Sequence, residues 1–261
     1  MAHSSNCQAL IDIYLEGRDI YTEMAAATFD KPAEECGDGS VYRKQMKMIV
    51  LAIMYGMGKY SLAEILKIDA DEAQDMIDDF FKAYPEVDQW IQANEKEVIE
   101  NRFVETLWGY RRRFKHVDFS VLKKRWSPSI REARGAAARA LRQTTNAKIQ
   151  GGAANQTKQV MVELVKVLEG LNKDRGTNLF QIVAQVHDEL LFYVPEDVTP
   201  SELEAIENAM IYTVKLVVPS KTDLALGKSW GMMEAVDYKG REEVLISYED
   251  GSLKALSEVN W

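Results

Sequence analysis

Two short apolar runs that flank a polar tripeptide constrain the fold of this chain more than any other feature. Residues 179–186 and 190–194 are apolar and rich in β-branched side chains, and His187, Asp188 and Glu189 lie between them. This composition favours β-strands, and the polar interruption favours a tight turn between them. The sequence therefore predicts an antiparallel hairpin that carries two carboxylates at its tip.

The predicted tip suits a cation. Strands this apolar are expected to be buried, and carboxylates held beside them are costly unless they stay solvated or meet a positive charge. Mg²⁺ fits Asp188 and Glu189 because it binds one or two carboxylates together with substrate phosphates. A plain polar turn is the alternative. One such tip does not complete a two-metal site, which needs carboxylates from more than one segment.

Most of the remaining sequence has helical periodicity, so the predicted fold class is α+β. Ser40 is placed to cap a helix that runs to about residue 55, and Pro85 divides two acidic helices within 71–100. A second hairpin pattern surrounds Trp108-Gly109. The other predicted elements are helices within 8–29 and at 131–150, 153–171 and 201–217, and a strand near 224–226.

Composition excludes several classes of protein. Of the 261 residues, 46% are hydrophobic and 28% are charged, which is typical of a globular chain. Cys7 and Cys36 are the only cysteines, which argues against a disulfide framework and against a structural zinc site. The sequence has neither a signal-peptide pattern nor an apolar run of about 20 residues. We therefore expect a cytoplasmic protein with no membrane partner.

Charge is unevenly distributed. The 32 Lys and Arg against 41 Asp and Glu leave a net charge of −9, which excludes a uniformly basic nucleic-acid-binding protein. Residues 102–148, here called the basic segment, hold 13 Lys and Arg against three acids, so they carry +10 and the remainder −19. A solvated helix face is the alternative, but such faces usually mix Glu with Lys. The basic segment therefore predicts a surface for nucleic acid or another polyanion.

Two sets of residues recur at four-residue spacing. Arg43, Lys47, Leu51 and Tyr55 form a stripe about 18 Å long, at ~1.5 Å per residue, with cations at one end and a ring at the other. A nucleoside triphosphate has the same polarity, and an ordinary amphipathic helix is the alternative.

The second set consists of Arg142, Asn146 and Gln150. These side chains can donate hydrogen bonds to the acceptors of a nucleic-acid minor groove. A solvated helix face is the alternative.

Taken together, these motifs resemble family A DNA polymerases, the group of bacterial polymerase I and its phage relatives. Residues 43–56 resemble the fingers helix of that family, which has the pattern R-x-x-x-K followed by Y-G. Residues 185–189 (QVHDE) resemble the palm motif with a metal-binding aspartate, and 142–151 resemble the palm helix that contacts primer and template. Residues 105–111 (ETLWGYR) resemble a recurrent hairpin between them. The resemblance covers residues 1–231.

The resemblance implies a role for each matched residue. Arg43 and Lys47 would hold the incoming dNTP, with Lys47 also a candidate general acid toward pyrophosphate, and Tyr55 would stack near the templating position. Asp188 would bind Mg²⁺. His187 and Glu189 would shape the primer-terminus side. Three residues would contact the primer-template DNA: Arg142, Asn146 and Gln150.

Two departures from the family pattern limit what the resemblance implies. Leu51 stands where the family usually has Phe or Tyr, and Ala52 where it usually has Gly. A leucine at this position resembles a subset of phage polymerases, so we expect a phage origin. The resemblance therefore does not imply that this chain discriminates between sugars as the family does.

The larger departure is the first palm motif, D-x-S-x-x-E-x-R, which does not occur in the sequence. In the family it supplies the other metal-binding aspartate. We therefore expect a fingers subdomain at 1–135 and the C-terminal part of the palm at 136–261, inactive alone and completed by a separate upstream chain that carries the missing motif and the thumb. An unpaired sheet edge and a stable partner or self-association would accompany this arrangement.

Two other hypotheses stay open. The chain could be a non-catalytic DNA-binding remnant that uses the basic segment and the Arg142 face. It could instead be an isolated enzyme that borrows a carboxylate from a homodimer mate or from elsewhere in the chain, for example Asp12 or Asp19. These two aspartates lie in helical sequence without a strand nearby.

Overall fold

The computed structural model describes residues 1–259, of which it places most in helices. Helices account for 58% of the structure and the sheets are small and antiparallel, so the predicted α+β class is confirmed. The chain forms two compact units, Met1–Asn155 and a second that begins at Gln156. No helix within residues 1–259 is long and apolar enough to cross a membrane.

The first unit is helical with one hairpin. Asp19 and Ser40 cap the helices that follow them by accepting hydrogen bonds from backbone N–H groups. Gly17, at φ +68°, ends the second helix, so residues 8–29 form two helices. The elements are α1 (Ala2–Ser5), α2 (Gln8–Leu15), α3 (Ile20–Phe29), α4 (Val41–Met54), α5 (Lys59–Leu66), α6 (Ala70–Ala83), α7 (Pro85–Asn101), β1 (Phe103–Glu105), β2 (Arg111–Arg113) and the first part of α8 (Arg131–Arg175).

An apolar cluster holds α7, the β1–β2 hairpin and α8 together. Val98 of α7 and Val104 of β1 are almost fully buried, as are Phe114 and Phe119 after the hairpin. The buried α8 residues of the cluster are alanines, whose small side chains let the helix approach its neighbours closely. The basic segment is therefore built on a packed core.

The long helix α8 corrects one prediction. The sequence predicts two helices at 131–150 and 153–171, whereas α8 is continuous through Gly151 and Gly152. At Gly151 a Cβ would lie 3.0 Å from Cγ2 of Thr106, so the β1–β2 hairpin packs closely against the helix there. Thr106 also donates a hydrogen bond to Asn155 at 2.8 Å. These glycines thus permit a tertiary contact and do not end the helix.

The second unit contains the predicted hairpin and a four-stranded sheet. Its elements are the last part of α8, β3 (Gln181–Val186), β4 (Glu189–Tyr193), α9 (Pro200–Tyr212), β5 (Ala225–Leu226), β6 (Glu234–Asp237), β7 (Leu245–Ser247) and β8 (Leu253–Ala255). The antiparallel sheet has the order β5-β6-β7-β8. The sequence did not predict β6, β7 or β8, and α9 ends earlier than the predicted residue 217.

Polar networks fix α9 to its surroundings. Glu207 of α9 is 5% exposed, and it accepts hydrogen bonds from the Tyr238 hydroxyl (2.5 Å) and from Lys239 Nζ (2.9 Å). Burial together with this carboxylate raises the pKa of Tyr238. At the other end of the helix, Arg175 pairs with Glu202 and Asp197. The segment after β6 is therefore tied into the second unit.

Candidate functional site

Arg43 on α4 is already paired with protein carboxylates. Its guanidinium donates two hydrogen bonds of 3.0 Å to Asp19, and Asp38 lies 3.4 Å away. The Arg43 hydrogen bonds hold the pKa of the Asp19 carboxyl well below its usual range. Arg43 is at the same time stacked 5.6 Å from the Tyr21 ring centroid. An anion that binds Arg43 must therefore compete with Asp19.

The other residues of the stripe are more open. Lys47 is exposed and forms no hydrogen bond or ion pair with residues 1–259. Leu51 is half-buried on the same side of α4, and Tyr55, directly after the helix, is 48% exposed. Of the four residues in the predicted stripe, Lys47 and Tyr55 are thus exposed, whereas Arg43 and Leu51 are half-buried.

Gly56 brings the end of α4 against α8. Its φ is +63°, and a Cβ there would lie 2.6 Å from Cβ and 2.7 Å from Cα of Arg142. Only glycine fits both the left-handed backbone and this close approach. The structure therefore brings two separately predicted motifs together, the Tyr55-Gly56 turn and the first residue of the Arg142 face.

The Arg142 face lies along α8 in the first unit. Arg142 and Gln150 are exposed, whereas Asn146 is half-buried. The Asn146 amide nitrogen is buried and has no acceptor among residues 1–259. A buried donor without an acceptor costs about 1–3 kcal/mol, which a ligand oxygen would recover.

The structure divides the 13 cations of the basic segment into two groups. Five have intramolecular roles: Arg102 and Arg134 donate to backbone carbonyls, Arg112 donates to Gln143, and two others pair with carboxylates, Arg111 with Glu105 and Lys148 with Glu97. The remaining eight are exposed and have no such partner within residues 1–259: Arg113, Lys115, Lys123, Lys124, Arg125, Arg131, Arg139 and Arg142. These eight are the charges left for a polyanion.

The β3–β4 hairpin presents its tip to solvent. Val186 pairs with Glu189, and His187 adopts φ +55° in the turn between them. The side chains of His187, Asp188 and Glu189 are exposed, and neither carboxylate forms an ion pair within residues 1–259. In the described part of the chain, β4 pairs with β3 alone, so its other edge is free.

A cleft of about 880 Å³ opens along that free edge. All residues from 188 to 196 line it. Because side chains alternate between the two faces of a strand, a groove over one face would be lined by every second residue. The cleft therefore follows the edge of β4, with its free N–H and C=O groups, and its other walls come from α9 and residues 221–228.

The donor set at the tip fits a hard cation. Asp188 offers unpaired carboxylate oxygens, which are the ligands that Mg²⁺ prefers. Within residues 1–259, no three His, Cys, Asp or Glu side chains converge as a metal site. Any Mg²⁺ bound at Asp188 would thus need further oxygens from a substrate or another segment.

The sequence model for DNA polymerase family A matches residues 1–232. The chain belongs to DNA polymerase family A. It is 32% identical over 230 residues to the thermostable DNA polymerase I of Thermus aquaticus. The matched region covers 88% of this chain and 25% of that relative. DNA polymerase theta of Drosophila melanogaster is 30% identical over 240 residues, covering 90% of this chain and 11% of that relative.

A solved structure shows the same relationship. The POL domain of Pol1 from M. smegmatis, in complex with DNA primer-template and dNTP, superimposes with a TM-score of 0.69 and 29% identity. The match covers 84% of this chain and 35% of that one. The family A chain described here therefore spans about a quarter or less of the curated relatives above. The predicted family is confirmed.

Two features of this family A chain were not predicted as parts of the site. Asp19 entered the sequence reasoning only as a possible metal-binding carboxylate, whereas the structure places it on Arg43, 24 residues away. Its N-cap position was the only local signal. The sequence contained one indication of the Gly56 contact, namely two glycines, Gly56 and Gly58, after Tyr55. Nothing in the sequence indicated that Arg142 is the partner.

Proposed function

We propose that this chain supplies the dNTP-binding helix, a primer-template-binding helix face and one metal-binding carboxylate of a DNA-directed DNA polymerase. The observation that carries the proposal is the exposed, unpaired Asp188 carboxylate at the end of a free β4 edge that opens on a cleft. Family membership and the M. smegmatis complex with primer-template and dNTP support the reaction class.

Arg43, Lys47 and Tyr55 would bind the incoming nucleotide along α4. The two cations would hold the phosphates, and Tyr55 would stack near the templating base. Lys47 has no carboxylate partner within residues 1–259, so its ammonium proton is available to the leaving pyrophosphate. Leu51, which lies between Lys47 and Tyr55 in the stripe, would contact the nucleotide.

Arg142, Asn146 and Gln150 would donate hydrogen bonds to the minor groove of the primer-template, where every base pair offers acceptors. His187 and Glu189 would flank the primer terminus. Asp188 would hold Mg²⁺, which, when bound, neutralises negative charge on the triphosphate.

The cleft beside β4 supports a requirement for a second segment. One edge strand of the β5–β8 sheet, β5, also lines it, so an inserted strand would meet a strand edge on either side. We propose that this strand carries the second metal-binding carboxylate and belongs to an upstream fragment with the thumb, in a split polymerase of phage origin. The isolated chain would then be inactive. Asp19 is an unsuitable substitute because Arg43 occupies it.

The subdomain assignment follows from these roles. Residues 1–135 would form the fingers and 136–261 the C-terminal part of the palm. A replicative or repair polymerase of this kind would act in the cytoplasm of a bacterial or phage-infected cell.

A complementation assay tests the proposal. The chain is mixed with a family A fragment that carries the D-x-S-x-x-E-x-R motif, and Mg²⁺-dependent dNTP incorporation on primed template is measured. We expect incorporation only when both polypeptides are present, and a large loss of it when the chain carries Asp188→Asn. A complex that forms by light scattering yet incorporates nothing would contradict the proposal. Salt-sensitive DNA binding by such a complex would identify the chain as a DNA-binding remnant.

A further inference from the structure

The C-terminal part of the chain lies outside the family match. The family A sequence model matches residues 1–232, whereas the structure describes the chain through residue 259. Residues 233–259, here called the C-terminal segment, hold seven acidic and three basic side chains and so carry −4. This charge repels the phosphates of nucleic acid, so a protein surface is the better-matched ligand.

The C-terminal segment is packed into the second unit. Val244 and Ile246, beside and within β7, are almost fully buried. Tyr238, which follows β6, is also buried and donates a hydrogen bond of 2.5 Å to Glu207 of α9. The N–H of Leu256, which follows β8, donates to the carbonyl of Val244 at 2.9 Å. The segment therefore has a fixed position in the second unit.

The strand β5 depends on this segment for its pairing. Both residues of β5 pair with β6, and the N–H of Val236 donates to the carbonyl of Leu224 at 3.3 Å. Within residues 1–259, β6 is the one strand that pairs with β5. At Gly227 a Cβ would lie 2.1 Å from the backbone oxygen of Met232, so only glycine lets the chain pass this close to the start of the segment. Because a two-residue strand makes few hydrogen bonds of its own, the C-terminal segment sets where β5 lies.

The C-terminal segment also reaches the cleft beside β4. Met233 and Leu256 line that cleft, as do all residues from 221 to 228. Because an unbroken run of residues lines it, the cleft follows the edge of β5 as it follows the edge of β4. An apolar wall comes from three side chains of α9: Leu203, Ile206 and Met210. The cleft therefore offers two strand edges together with apolar contacts from α9 and from the C-terminal segment.

We propose that the C-terminal segment is a docking element that recognises a β-strand inserted into the cleft by the upstream fragment. The segment holds β5 in place as one edge, and its Met233 and Leu256 contact side chains of the inserted strand. A strand is the occupant that the cleft favours, because extended backbone pairs with two strand edges at once. The inference rests on the proposed function, which supplies the upstream fragment.

The walls of the cleft specify the chemistry of the partner strand. Alternate side chains of a strand point to opposite faces, so the face toward α9 must be apolar at every second position. Met233 and Leu256 add apolar surface at the side of β5, where a polar side chain would lose its hydration without gaining a partner. The partner is thus an extended segment with one apolar face.

Leu256→Ala tests the contact, with Leu253→Ala as its matched control. The fluorescently labelled family A fragment of the complementation assay is titrated with the full chain in the absence of dNTP. Leu256→Ala should weaken fragment binding roughly five-fold to 30-fold through the lost apolar contact. Leu253, in the same segment, is 45% exposed and lies outside the residues that line the cleft, so Leu253→Ala should bind as the wild type does. Equal binding by the two variants would overturn the inference.

Gly227→Ala tests whether the C-terminal segment positions β5. The added methyl group collides with the backbone of Met232 and displaces the start of the segment, so fragment binding should weaken roughly five-fold to 100-fold. Gly231→Ala is the control, because nothing lies within 4 Å of a Cβ there. Wild-type affinity in a folded Gly227→Ala would contradict the positioning role. Circular dichroism checks folding, and the Leu256 and Leu253 variants decide the question if Gly227→Ala does not fold.

Hydrogen exchange locates the occupant. Binding of the fragment to the wild type should slow amide exchange in both 188–196 and 221–228, because an inserted strand pairs with both edges. Protection of one edge alone, or of neither, would overturn insertion between the strands. Light scattering of the chain alone checks the other occupant, a second copy of this chain. A homodimer in which both edges are already protected would also overturn the inference.

Fragment binding and dNTP incorporation can fail separately. If the fragment binds, and binds Leu256→Ala more weakly, but the complex incorporates no dNTP, the C-terminal segment is a docking element and the proposed function is wrong. If the complex incorporates dNTP while Leu256→Ala and Leu253→Ala bind the fragment equally, the proposed function stands and the inference is wrong. A folded wild type that does not bind the fragment would overturn both.

Discussion

The α4 stripe of the first unit and the β3–β4 tip of the second unit differ in whether the protein already provides partners for their charges. Arg43 is engaged by two carboxylates and stacked on a ring, whereas Asp188 is exposed with no cation or donor within residues 1–259. A ligand at Arg43 must displace protein groups, but a ligand at Asp188 meets an open site. Arg43 is therefore already satisfied by groups of its own unit, whereas Asp188 has no protein partner within residues 1–259.

Energetics follow from this difference. At Arg43, exchange of one anion for another changes the free energy little, because one protein–anion contact replaces another at a partly solvent-exposed guanidinium. At Asp188, binding adds a charge interaction that has no counterpart in the free chain. Variants at the tip should therefore affect activity without affecting stability, and variants in the first unit should do the reverse where they alter packing.

The largest expected effect is at the tip. Asp188→Asn should lower dNTP incorporation by the complemented polymerase by roughly 1,000-fold, because a metal contact contributes several kcal/mol of charge stabilisation. The melting temperature should stay the same, since the carboxylate has no partner among residues 1–259 to lose. A dNTP-incorporation assay checks the loss of activity, and differential scanning calorimetry checks the melting temperature. Substantial residual activity would show that the open tip is not the metal site.

The next effect concerns packing in the first unit. Gly56→Ala should destabilise the chain by about 3 kcal/mol, from a strained backbone and from overpacking against Arg142. Urea unfolding measures the loss. Gly135→Ala is the control, because Gly135 lies in α8 with nothing within 4 Å of a Cβ. That variant should stabilise the helix by about 0.5–1 kcal/mol. Equal behaviour of the two would refute the close contact.

A third variant tests how much a buried hydrogen bond away from the tip stabilises the second unit. Tyr238→Phe removes a hydrogen bond to the buried Glu207 carboxylate and should lower the free energy of unfolding by about 1.5 kcal/mol. Tyr248→Phe is its control, because the Tyr248 hydroxyl has no hydrogen-bond partner within residues 1–259. Chemical denaturation of both compares them. If Tyr238→Phe is neutral, the segment after β6 does not stabilise α9.

The smallest effect tests the competition at Arg43. Asp19→Asn should increase dNTP affinity roughly two-fold to five-fold, because a neutral amide competes less with the triphosphate. Binding of a fluorescent dNTP to the chain provides the measurement. Asp38→Asn, at an almost fully exposed carboxylate, should change the affinity less. Weaker binding by Asp19→Asn would instead mean that Asp19 positions Arg43 for the nucleotide.

The same contact predicts a pH dependence. The folded-state pKa of Asp19 is lowered, so its contact with Arg43 adds stability above the ordinary carboxyl pKa of about 4 and loses it as pH falls further. The difference in dNTP affinity between wild type and Asp19→Asn should therefore be constant from neutral to mildly acidic pH. A difference that disappears near pH 6 would contradict the assigned protonation state.

Local features were predictable because short-range sterics and hydrogen bonding govern them. The Ser40 cap, the Pro85 boundary and the hairpin around Asp188 each depend on residues a few positions apart, and all three are present. Strands β6–β8 were missed because they are only three or four residues long and become recognisable only when paired. The Gly151 region was predicted wrongly because Gly151 does not end α8 but makes a close contact with Thr106, which is distant in sequence.

By itself, the sequence determined the fold class, the family motifs, the basic segment and the residue types at the predicted site, because these follow from periodicity and side-chain chemistry. Only the tertiary structure decided that Asp19 lies on Arg43, that Gly56 meets Arg142, that eight of the 13 cations of the basic segment have no partner within residues 1–259 and that the β4 edge opens on a cleft. Such pairings depend on where distant segments fold back against each other, which no local pattern encodes.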